Sequence, residues 1–340
     1  MIKYDVNIDL ANETKKEMVA ALETDDKRVL NKVGAFASLY NVNFDGYKDP
    51  VLVLKTEEPG SKQIIAAEYD KIENVCYDMI HHLINDCIVM GAKPLTVQDA
   101  IICGKMDKNI ILRIVKTLAN ACEKVGCVLT GGETSEQPGV LDENKYILTS
   151  SVVGIVDKND IIDGSDIQIG DVVIALESSG IHTNGYTLVR KIMTENSSIM
   201  KEIVDGKKFI DSILVPHRCY YNQLKGLFGK KIIHGMAHIT GGGICDNLNR
   251  ILPTGADARI ELNTYRIPNI FKVLRRFGNV SDSEMLKTFN LGVGMAIVTS
   301  KENSEMVIKH LSSEDVQSNI IGEIVEGTRK VVCEGKLKWE

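Results

Sequence analysis

The sequence predicts a two-domain protein of mixed α and β structure. Its 340 residues are long for one domain and sufficient for two, so the chain can bury a core without disulfides or a structural metal. Short apolar runs typical of strands alternate with amphipathic runs typical of helices, and we expect the helices to cover one face of a sheet. A polar, turn-rich stretch over 156–170 predicts the boundary. We therefore divide the chain into an N-terminal extension (1–48), a first domain (49–160) and a second domain (168–340).

The overall composition is that of an ordinary soluble globular protein, with 44% hydrophobic and 25% charged residues. The net charge of −6 and the lack of a basic tract argue against a nucleic-acid partner held by electrostatics. The N-terminus does not resemble a signal peptide, and no apolar run approaches the roughly 18 residues that a membrane span needs. We therefore expect a cytoplasmic protein with no membrane partner.

The eight cysteines are scattered through apolar surroundings, with no Cys-x-x-Cys pair and no histidines at zinc spacing. We interpret them as small buried hydrophobic residues in a reducing compartment. A single reactive thiol among them is the alternative.

The first domain is predicted to contain four strands and two helices, preceded by a weak helix in the N-terminal extension. Apolar runs predict the strands over 50–56, 94–103, 127–130 and 146–156. Helical periodicity predicts helices near 13–23, over 72–90 and over 109–125. The run at 50–56 is continuous, which is typical of a buried strand.

The helix over 72–90 has the clearest pattern, with apolar residues at i, i+3, i+4, i+7 spacing along the face that should be buried. The opposite face has five polar residues: Asp78, His81, His82, Asn85 and Asp86. At about 100° per residue, Asp78 and Asn85 project within roughly 20° of each other, two turns apart, so one ligand could contact both. A solvated polar face is the alternative.

Acidic residues in and beside two strands are further candidates for ligand contacts. Asp99 interrupts the apolar run over 94–103, and a buried carboxylate needs a partner because an unpaired charge is costly there. The strand over 50–56 is followed by Glu57, a second acid, a Pro-Gly turn and Lys62. A solvated hairpin tip is the alternative for this second segment.

The segment 130–139, Thr-Gly-Gly-Glu-Thr-Ser-Glu-Gln-Pro-Gly, is predicted to be a loop that binds metal and phosphate. Gly131 and Gly132 allow positive φ and a close approach of backbone N–H groups to a ligand. Glu133 and Glu136 supply the hard oxygen ligands that Mg²⁺ prefers. An ordinary surface turn is the alternative.

Two loops of the predicted second domain have features of anion sites. Hydroxyl groups and glycines in 178–186 precede a helix over 187–193, whose N-terminus can bind an anion with His182 beside it. The glycines 241–243 precede a helix near residue 244, and three successive glycines at such a turn favour an anion site. A plain capped helix start is the alternative for the first loop.

The other predicted elements complete a second sheet and cover it. Apolar runs predict strands over 172–176, 296–299, 320–325 and 330–333, and periodicity predicts a helix over 301–312. The glycine loops suggest a nucleotide, yet the chain has no Gly-x-x-x-x-Gly-Lys-Ser/Thr and no Gly-x-Gly-x-x-Gly motif. It is therefore neither a P-loop enzyme nor a standard dinucleotide binder, and no Gly-x-Ser-x-Gly elbow indicates a hydrolase.

Four segments together resemble the phosphoribosylformylglycinamidine cyclo-ligase family, the aminoimidazole ribonucleotide synthetases of purine biosynthesis. They are 131–139 (GGETSEQPG), 178–186 (SSGIHTNGY), 238–243 (HITGGG) and 288–295 (TFNLGVGM). The likeness runs in order from about residue 50 to the C-terminus, and four long motifs in sequence are more specific than any single glycine loop. The same residues as in that family also stand at Asp78, Asn85, Asp86 and Asp99.

The resemblance implies an ATP-dependent ligase that forms a cyclic C–N bond. Such an enzyme moves the γ-phosphoryl group of ATP onto the formyl oxygen of formylglycinamidine ribonucleotide. An amidine nitrogen then attacks the same carbon to give 5-aminoimidazole ribonucleotide. The implied cofactors are ATP and Mg²⁺. The implied fold is a two-domain PurM-like fold, with an ATP-binding N-terminal domain whose sheets pair in a homodimer barrel and a C-terminal α/β domain that binds substrate and phosphate.

The resemblance also implies roles for individual residues. The implied catalytic residues are His182, Asn184 and Lys62. The implied metal ligands are Asp78, Asp99, Glu133 and Glu57. The implied ATP contacts are Asp78, Asn85, Asp99, Gly131, Gly132, Glu133 and Thr134. The substrate's 5′-phosphate would lie at Gly241, Gly242 and Gly243.

One segment departs from the family pattern. The family reads Thr-Asp-Gly-Val-Gly-Thr-Lys where this chain has Thr-Glu-Glu-Pro-Gly-Ser-Lys over 56–62. Glu57 can still reach a metal, whereas Pro59 stiffens the segment. Two alternatives therefore stay open. One is another ATP-dependent enzyme of the superfamily, such as thiamine-monophosphate kinase or selenophosphate synthetase; the other is a nucleotide-binding paralogue that no longer turns over.

Overall fold

The computed structural model describes residues 8–31, 35 and 37–340, which form two compact units. The first unit contains the described residues up to 87 together with 92–159, and the second contains 88–91 and 160–340. Parts of the predicted N-terminal extension lie outside the described residues, namely 1–7, 32–34 and 36. Within the described ranges, no helix has the length and apolar character needed to cross a membrane.

The first unit combines helices with one four-stranded sheet. Its helices are α1 (Ile8–Ala21), α2 (Lys62–Glu68), α3 (Ile72–Ile88) and α4 (Lys108–Lys124). Its strands are β1 (Pro50–Glu57), β2 (Lys93–Cys103), β3 (Val128–Glu136) and β4 (Tyr146–Asp157). The strand order is β1-β4-β2-β3; β4 is antiparallel to β1 and β2, whereas β3 is parallel to β2.

Strand β1 lies at the edge of this sheet, so the prediction of a buried strand is wrong. Leu52 and Leu54 are 49% and 71% exposed, whereas Val51 and Val53, which alternate with them, are half-buried. The continuous apolar run therefore has one covered face and one open face. Periodicity could not reveal this, because both faces are apolar.

The predicted loop over 130–139 is wrong for most of its length, since β3 continues to Glu136. Parallel pairing with β2 aligns Asp99 with Gly132 and continues to the end of β3. The register shifts just before Asp99, and Gly131 has a φ of 129° at the same place. Glycine therefore permits an irregular step in the strand here, rather than a loop.

The polar face of α3 is mostly buried rather than solvated, and only His81 and Asp86 on it are partly exposed. Asp78, His82 and Asn85 are 0%, 7% and 0% exposed. The apolar residues of the opposite face have similarly low exposed fractions. Buried polar side chains need hydrogen-bond partners, so this burial favours an internal polar network. Helix α2 was not predicted; its seven residues are too few to show a helical period.

The second unit is built around a six-stranded sheet. Its strands are β5 (Val172–Glu177), β6 (Ile203–Val204), β7 (Lys207–Lys208), β8 (Gly235–His238), β9 (Ala256–Glu261), β10 (Val293–Thr299), β11 (Ser318–Glu326) and β12 (Val331–Glu334). Strands β6 and β7 pair with each other, and the others have the order β12-β9-β11-β5-β10-β8. Only β12 and β9 pair in parallel within this described sheet.

Seven helices belong to the second unit. They are α5 (Tyr186–Glu195), α6 (Phe209–Ile213), α7 (Tyr221–Leu224), α8 (Gly243–Asn249), α9 (Asn269–Gly278), α10 (Asp282–Thr288) and α11 (Lys301–Ser313). The central strands β5 and β10 are buried along almost their whole length and form the core of the sheet. The predicted mixed α/β class is thereby confirmed, whereas α6, α7, α9 and α10 fall where no element was predicted.

Candidate functional site

Lys62 and Asp78 form a buried ion pair in the first unit. The Lys62 Nζ atom lies 3.0 Å from Asp78 Oδ1 and 2.8 Å from Asp78 Oδ2, and both side chains are fully buried. Helix α2 begins at Lys62, and α3 provides Asp78. Burial lowers the pKa of Lys62, and the Asp78 carboxylate opposes that shift. The fold therefore joins two residues that the resemblance assigned to phosphate chemistry.

Asp99 lies opposite Gly132 in a close contact between β2 and β3. A Cβ atom at Gly132 would overlap both the carbonyl oxygen and Oδ1 of Asp99, so only glycine fits at this position. Asp99 is 8% exposed, and burial raises its pKa to about 7. Its carboxyl group therefore changes charge near neutral pH, and a bound cation would favour the ionised form.

Glu133 does not share this contact with Asp99. The register pairs Glu133 with Ala100, and side chains alternate along a strand, so Asp99 and Glu133 point to opposite faces of the sheet. Glu133 is exposed, and its Oε1 accepts a hydrogen bond from the Thr134 N–H at 3.0 Å.

The four carboxylates expected to bind metal are not assembled as one ligand set in the described structure. Two groups of three potential ligands have their ligand atoms within 4.8 Å of one another, and neither includes Asp78, Asp99, Glu133 or Glu57. The assignment of these residues to a metal therefore stays a prediction.

Glu57 instead lies beside Asp86. The Lys55 Nζ atom lies 2.9 Å from Glu57 Oε2 and 3.0 Å from Asp86 Oδ2. His82 Nε2 lies 3.7 Å from the same two oxygens. Two carboxylates that share one ammonium group have the oxygen donors that a divalent cation requires. Glu57 and Asp86 are therefore a candidate cation site. The sequence pattern had not indicated that these two residues lie together.

Three histidines form a buried cluster in the second unit: His182, His217 and His238. They are 2%, 0% and 5% exposed. The rings of His182 and His217 stack with centroids 3.8 Å apart, and His217 Nε2 lies 2.9 Å from His238 Nε2. The sequence indicated His182 and the segment that begins at His238, but it missed His217. No glycine, motif or periodic pattern around His217 could have indicated it.

The turn at His182 fixes the orientation of the ring. His182 has a φ of 65°, which is uncommon for a residue with a side chain. The Ser179 N–H donates a hydrogen bond to His182 Nε2 at 3.1 Å. Nε2 is thus an acceptor, and a neutral ring with this bond has its proton on Nδ1.

Asn290 and Gly294 support the same turn from another part of the chain. Asn290 Oδ1 accepts a hydrogen bond from Ser178 Oγ at 3.0 Å, and Asn290 Nδ2 donates to two carbonyl oxygens of the turn at 2.9 and 3.2 Å. A Cβ atom at Gly294 would overlap Tyr220 Oη and lie 2.7 Å from His182 Cε1. Two motifs that are far apart in sequence therefore form one structure around His182.

The glycines 241–243 lie beside Asn184, but two of their amides bond within the chain. A Cβ atom at Gly241 would lie 3.2 Å from Asn184 Oδ1. The Gly242 N–H donates to the Lys287 carbonyl oxygen at 3.1 Å, and the Gly243 N–H donates to the Thr240 carbonyl oxygen at 3.1 Å. The turn and its close packing account for these two glycines, and a phosphate at 241–243 stays a prediction.

Family models match most of the chain. The N-terminal domain of the AIR synthase related protein family matches residues 37–156, and its C-terminal domain matches residues 168–333. A phosphoribosylformylglycinamidine cyclo-ligase from Caldanaerobacter subterraneus subsp. tengcongensis is 44% identical over 96% of this chain and 98% of its own length. A protein of the same name from Carboxydothermus hydrogenoformans is 39% identical over 97% of this chain and 96% of its own.

Solved structures with a similar fold are much more distant in sequence. Thiamine-monophosphate kinase from Stenotrophomonas maltophilia K279a is 14% identical with a TM-score of 0.68, over 96% of this chain and 97% of that one. Hydrogenase maturation protein HypE in complex with ATP is 15% identical with a TM-score of 0.69, over 95% and 91%. These likenesses show the fold alone, whereas the near-full-length sequence matches show that the chain belongs to the phosphoribosylformylglycinamidine cyclo-ligase family.

Proposed function

We propose that this protein catalyses the ATP-dependent cyclisation of formylglycinamidine ribonucleotide to 5-aminoimidazole ribonucleotide. The observation that supports the reaction is the match to cyclo-ligases over nearly the whole chain. The γ-phosphoryl group of ATP passes to the formyl oxygen, which turns a poor leaving group into a good one. An amidine nitrogen of the same substrate then attacks the formyl carbon, the ring closes and phosphate departs.

Lys62 is the proposed charge-neutralising residue for phosphoryl transfer. This step needs mainly positioning and charge neutralisation, which a fixed ammonium group supplies. Asp78 contacts Lys62 with both of its oxygens and so restricts where the ammonium group lies. Besides its proposed role as a metal ligand, Asp78 then acts on the reaction through Lys62 as a positioning residue.

Glu57 and Asp86 are the proposed Mg²⁺ ligands with the most direct support, because their oxygens already face one positive charge on Lys55. Bound Mg²⁺ would neutralise charge on the triphosphate. Asp78, Asp99 and Glu133 remain further proposed ligands. The raised pKa of Asp99 is compatible with this role, because a nearby cation stabilises the carboxylate.

A pair of neighbouring glutamates tests the Mg²⁺ assignment. Glu57→Gln should raise the Mg²⁺ concentration needed for half-maximal turnover, because one charged oxygen ligand is lost. Glu58→Gln is the matched control, since Glu58 is the adjacent, exposed acid of the same segment. Equal effects of the two substitutions would reject a specific role for Glu57.

His182 and Asn184 are proposed to contact the substrate. The histidine cluster holds the His182 ring by stacking, while the Ser179 N–H bond fixes its orientation. An oriented imidazole can polarise the formyl group or bind the phosphate placed on it. Asn184 lies next to Gly241, so the proposed substrate phosphate would lie near these two residues.

The open face of β1 is the proposed homodimer contact. Leu52 and Leu54 project from the same side of an edge strand and are largely exposed in the single chain. An edge strand with an apolar face favours pairing with a second copy. Leu54→Glu should halve the mass measured by sedimentation equilibrium. Val140→Glu, at a position that is 75% exposed, is the control and should leave the mass unchanged.

Product analysis tests the reaction itself. Incubation of the protein with ATP, Mg²⁺ and formylglycinamidine ribonucleotide should yield 5-aminoimidazole ribonucleotide and ADP in equal amounts, measured by liquid chromatography. Replacement of the substrate by thiamine monophosphate should yield ADP at background level. ADP formed with thiamine monophosphate alone would favour the kinase alternative. Binding of ATP without any product would favour the inactive paralogue.

A further inference from the structure

Two cysteines that are 88 positions apart lie side by side in the second unit. Cys245 on α8 and Cys333 on β12 have their Sγ atoms 3.3 Å apart, and both side chains are half-buried. No sequence pattern indicated this pair, because the spacing of the two cysteines fits no dithiol motif. Partial exposure gives a small soluble reagent access to the sulfur atoms.

The fold holds the two thiols together through contacts on both sides. Along β12, Val331 and Cys333 are the more covered residues, whereas the residues that alternate with them are exposed. Helix α8 packs against this strand. Asn249, the last residue of α8, donates a hydrogen bond from Nδ2 to the Arg329 carbonyl oxygen at 2.7 Å, just before β12 begins. The proximity of the thiols therefore follows from a fixed helix–strand contact.

We propose that Cys245 and Cys333 form a redox modification site, at which a peroxide converts the two thiols into a reversible intramolecular disulfide. The Cys245 thiolate attacks one oxygen of hydrogen peroxide, the O–O bond breaks and hydroxide leaves, so Cys245 becomes a sulfenic acid. The Cys333 sulfur then attacks the Cys245 sulfur, the S–O bond breaks and water leaves with the proton of Cys333. Two thiols lose two electrons in total, and one peroxide becomes two water molecules.

The electrostatics of the pair favour this order of events. The hydrogen bond with Cys333 lowers the pKa of Cys245 to about 7, so about half of Cys245 is thiolate at neutral pH. The same hydrogen bond raises the pKa of Cys333, which retains its proton as the donor. Cys245 is therefore the attacking sulfur, and Cys333 is the resolving sulfur.

The movement needed for the disulfide is small. The sulfur atoms must approach by roughly 1.2 Å, from 3.3 Å to about 2.05 Å. Strand β12 lies at the edge of the sheet and pairs with β9 alone, and Gly335 follows it with a φ of 78°. An edge strand next to a glycine can take up part of this approach, and α8, which contains Cys245, takes up the rest.

The disulfide would also act on the glycine turn 240–243, a consequence that rests on the proposed function. Asn247 Nδ2 donates to the Gly241 and Gly243 carbonyl oxygens at 3.1 and 2.8 Å, and Thr240 Oγ1 bonds Asn247 Oδ1 at 3.1 Å. Helix α8 and this turn therefore move together. Tension on Cys245 would displace the turn beside Asn184. We expect the KM for formylglycinamidine ribonucleotide to rise about 5-fold or more on oxidation.

Peptide mapping of the whole protein tests the modification site without any activity measurement. Trypsin places Cys245 in peptide 232–250 and Cys333 in peptide 331–336, each as the one cysteine of its peptide. After treatment with hydrogen peroxide, we expect these peptides to be linked, two of the eight thiols to be lost and dithiothreitol to restore them. Cys245→Ser and Cys333→Ser should each abolish the link, and Cys219→Ser, another half-buried cysteine, should retain it.

Absence of the linked peptide, or a link to a different cysteine, would overturn the proposed site. The KM measurement is separate. A link that forms while KM stays constant would overturn the coupling to the glycine turn. A reduced protein that makes no product would instead count against the proposed reaction. Cys333→Ser should retain the KM of the reduced protein and lose its sensitivity to peroxide.

Discussion

The Lys62–Asp78 ion pair gives the sharpest test of how the first unit is built. Asp78→Ala removes the carboxylate and leaves the Lys62 ammonium group in a site where both side chains are fully buried. Loss of one partner of a buried pair destabilises a protein by about 3–5 kcal/mol, because the remaining buried charge loses its nearest opposite charge. Lys62→Met should destabilise the protein by a similar amount, since it removes the buried ammonium group that lies 2.8 Å from Asp78 Oδ2.

The double variant Lys62→Met with Asp78→Leu separates the cost of an unpaired charge from the value of the pair. It removes both charges while nearly retaining their volume, so we expect its free energy of unfolding to return to within about 1 kcal/mol of the original value. Turnover should not return. All three variants lose Lys62 or its positioning, and we expect kcat to fall by about 10²–10³ in each.

Urea unfolding followed by circular dichroism measures the stability of the four proteins, and ADP release measures their turnover. A loss of under about 1 kcal/mol for Asp78→Ala would match an exposed pair and would refute the burial argument. A double variant as unstable as the single variants would show that packing, rather than charge, governs this site. Recovery of turnover in the double variant would remove Lys62 from the proposed mechanism.

Three further predictions follow from other contacts. Asp99→Asn should stabilise the metal-free protein more at pH 8 than at pH 5, by roughly 2–3 kcal/mol in urea unfolding. The pKa of Asp99 in the folded protein, about 7, lies above its unfolded value of about 4, so the stability of the unsubstituted protein falls as pH rises between these two values. Equal effects of the substitution at pH 5 and pH 8 would contradict the reasoning. His182→Ala should lower kcat by about 10²–10³, a much larger effect than its loss of stability, whereas His310→Ala on α11 should leave kcat nearly unchanged. A loss of kcat no larger than the loss of stability would give His182 a structural role. Gly294→Ala should destabilise the protein by about 1–3 kcal/mol, and added Tyr220→Phe should recover part of the stability but not the turnover, since His182 Cε1 remains 2.7 Å from the new methyl group.

Much of the fold was predictable because hydrophobic periodicity is a local property. Helix α3 is long and strongly periodic, and strands such as β5 and β10 are continuous apolar runs between polar turns. The errors fall where that signal is weak or ambiguous. Helix α2 is too short to show a period, and an apolar edge strand such as β1 resembles a buried one because the pattern contains no information about what covers each face.

The candidate site was less predictable than the fold. Sequence motifs indicated the segments around His182 and Gly241, since glycines and hydroxyl groups at strand-to-helix turns are locally recognisable. They did not indicate that Asn290 would bond the His182 turn, because hydrogen bonds between distant segments depend on the strand order. The pairing of Glu57 with Asp86 depends in the same way on β1 lying near α3.

The amino-acid sequence by itself determined the class of fold, the order of the main elements and the family, because these follow from local periodicity and from motifs that can be matched residue by residue. The tertiary structure alone decided which side chains meet. It enclosed Lys62 with Asp78, stacked His182 on His217, turned Glu133 away from Asp99 and brought Cys245 against Cys333. Each of these arrangements involves residues from different elements, and it is fixed by register and packing that no local pattern of residues specifies.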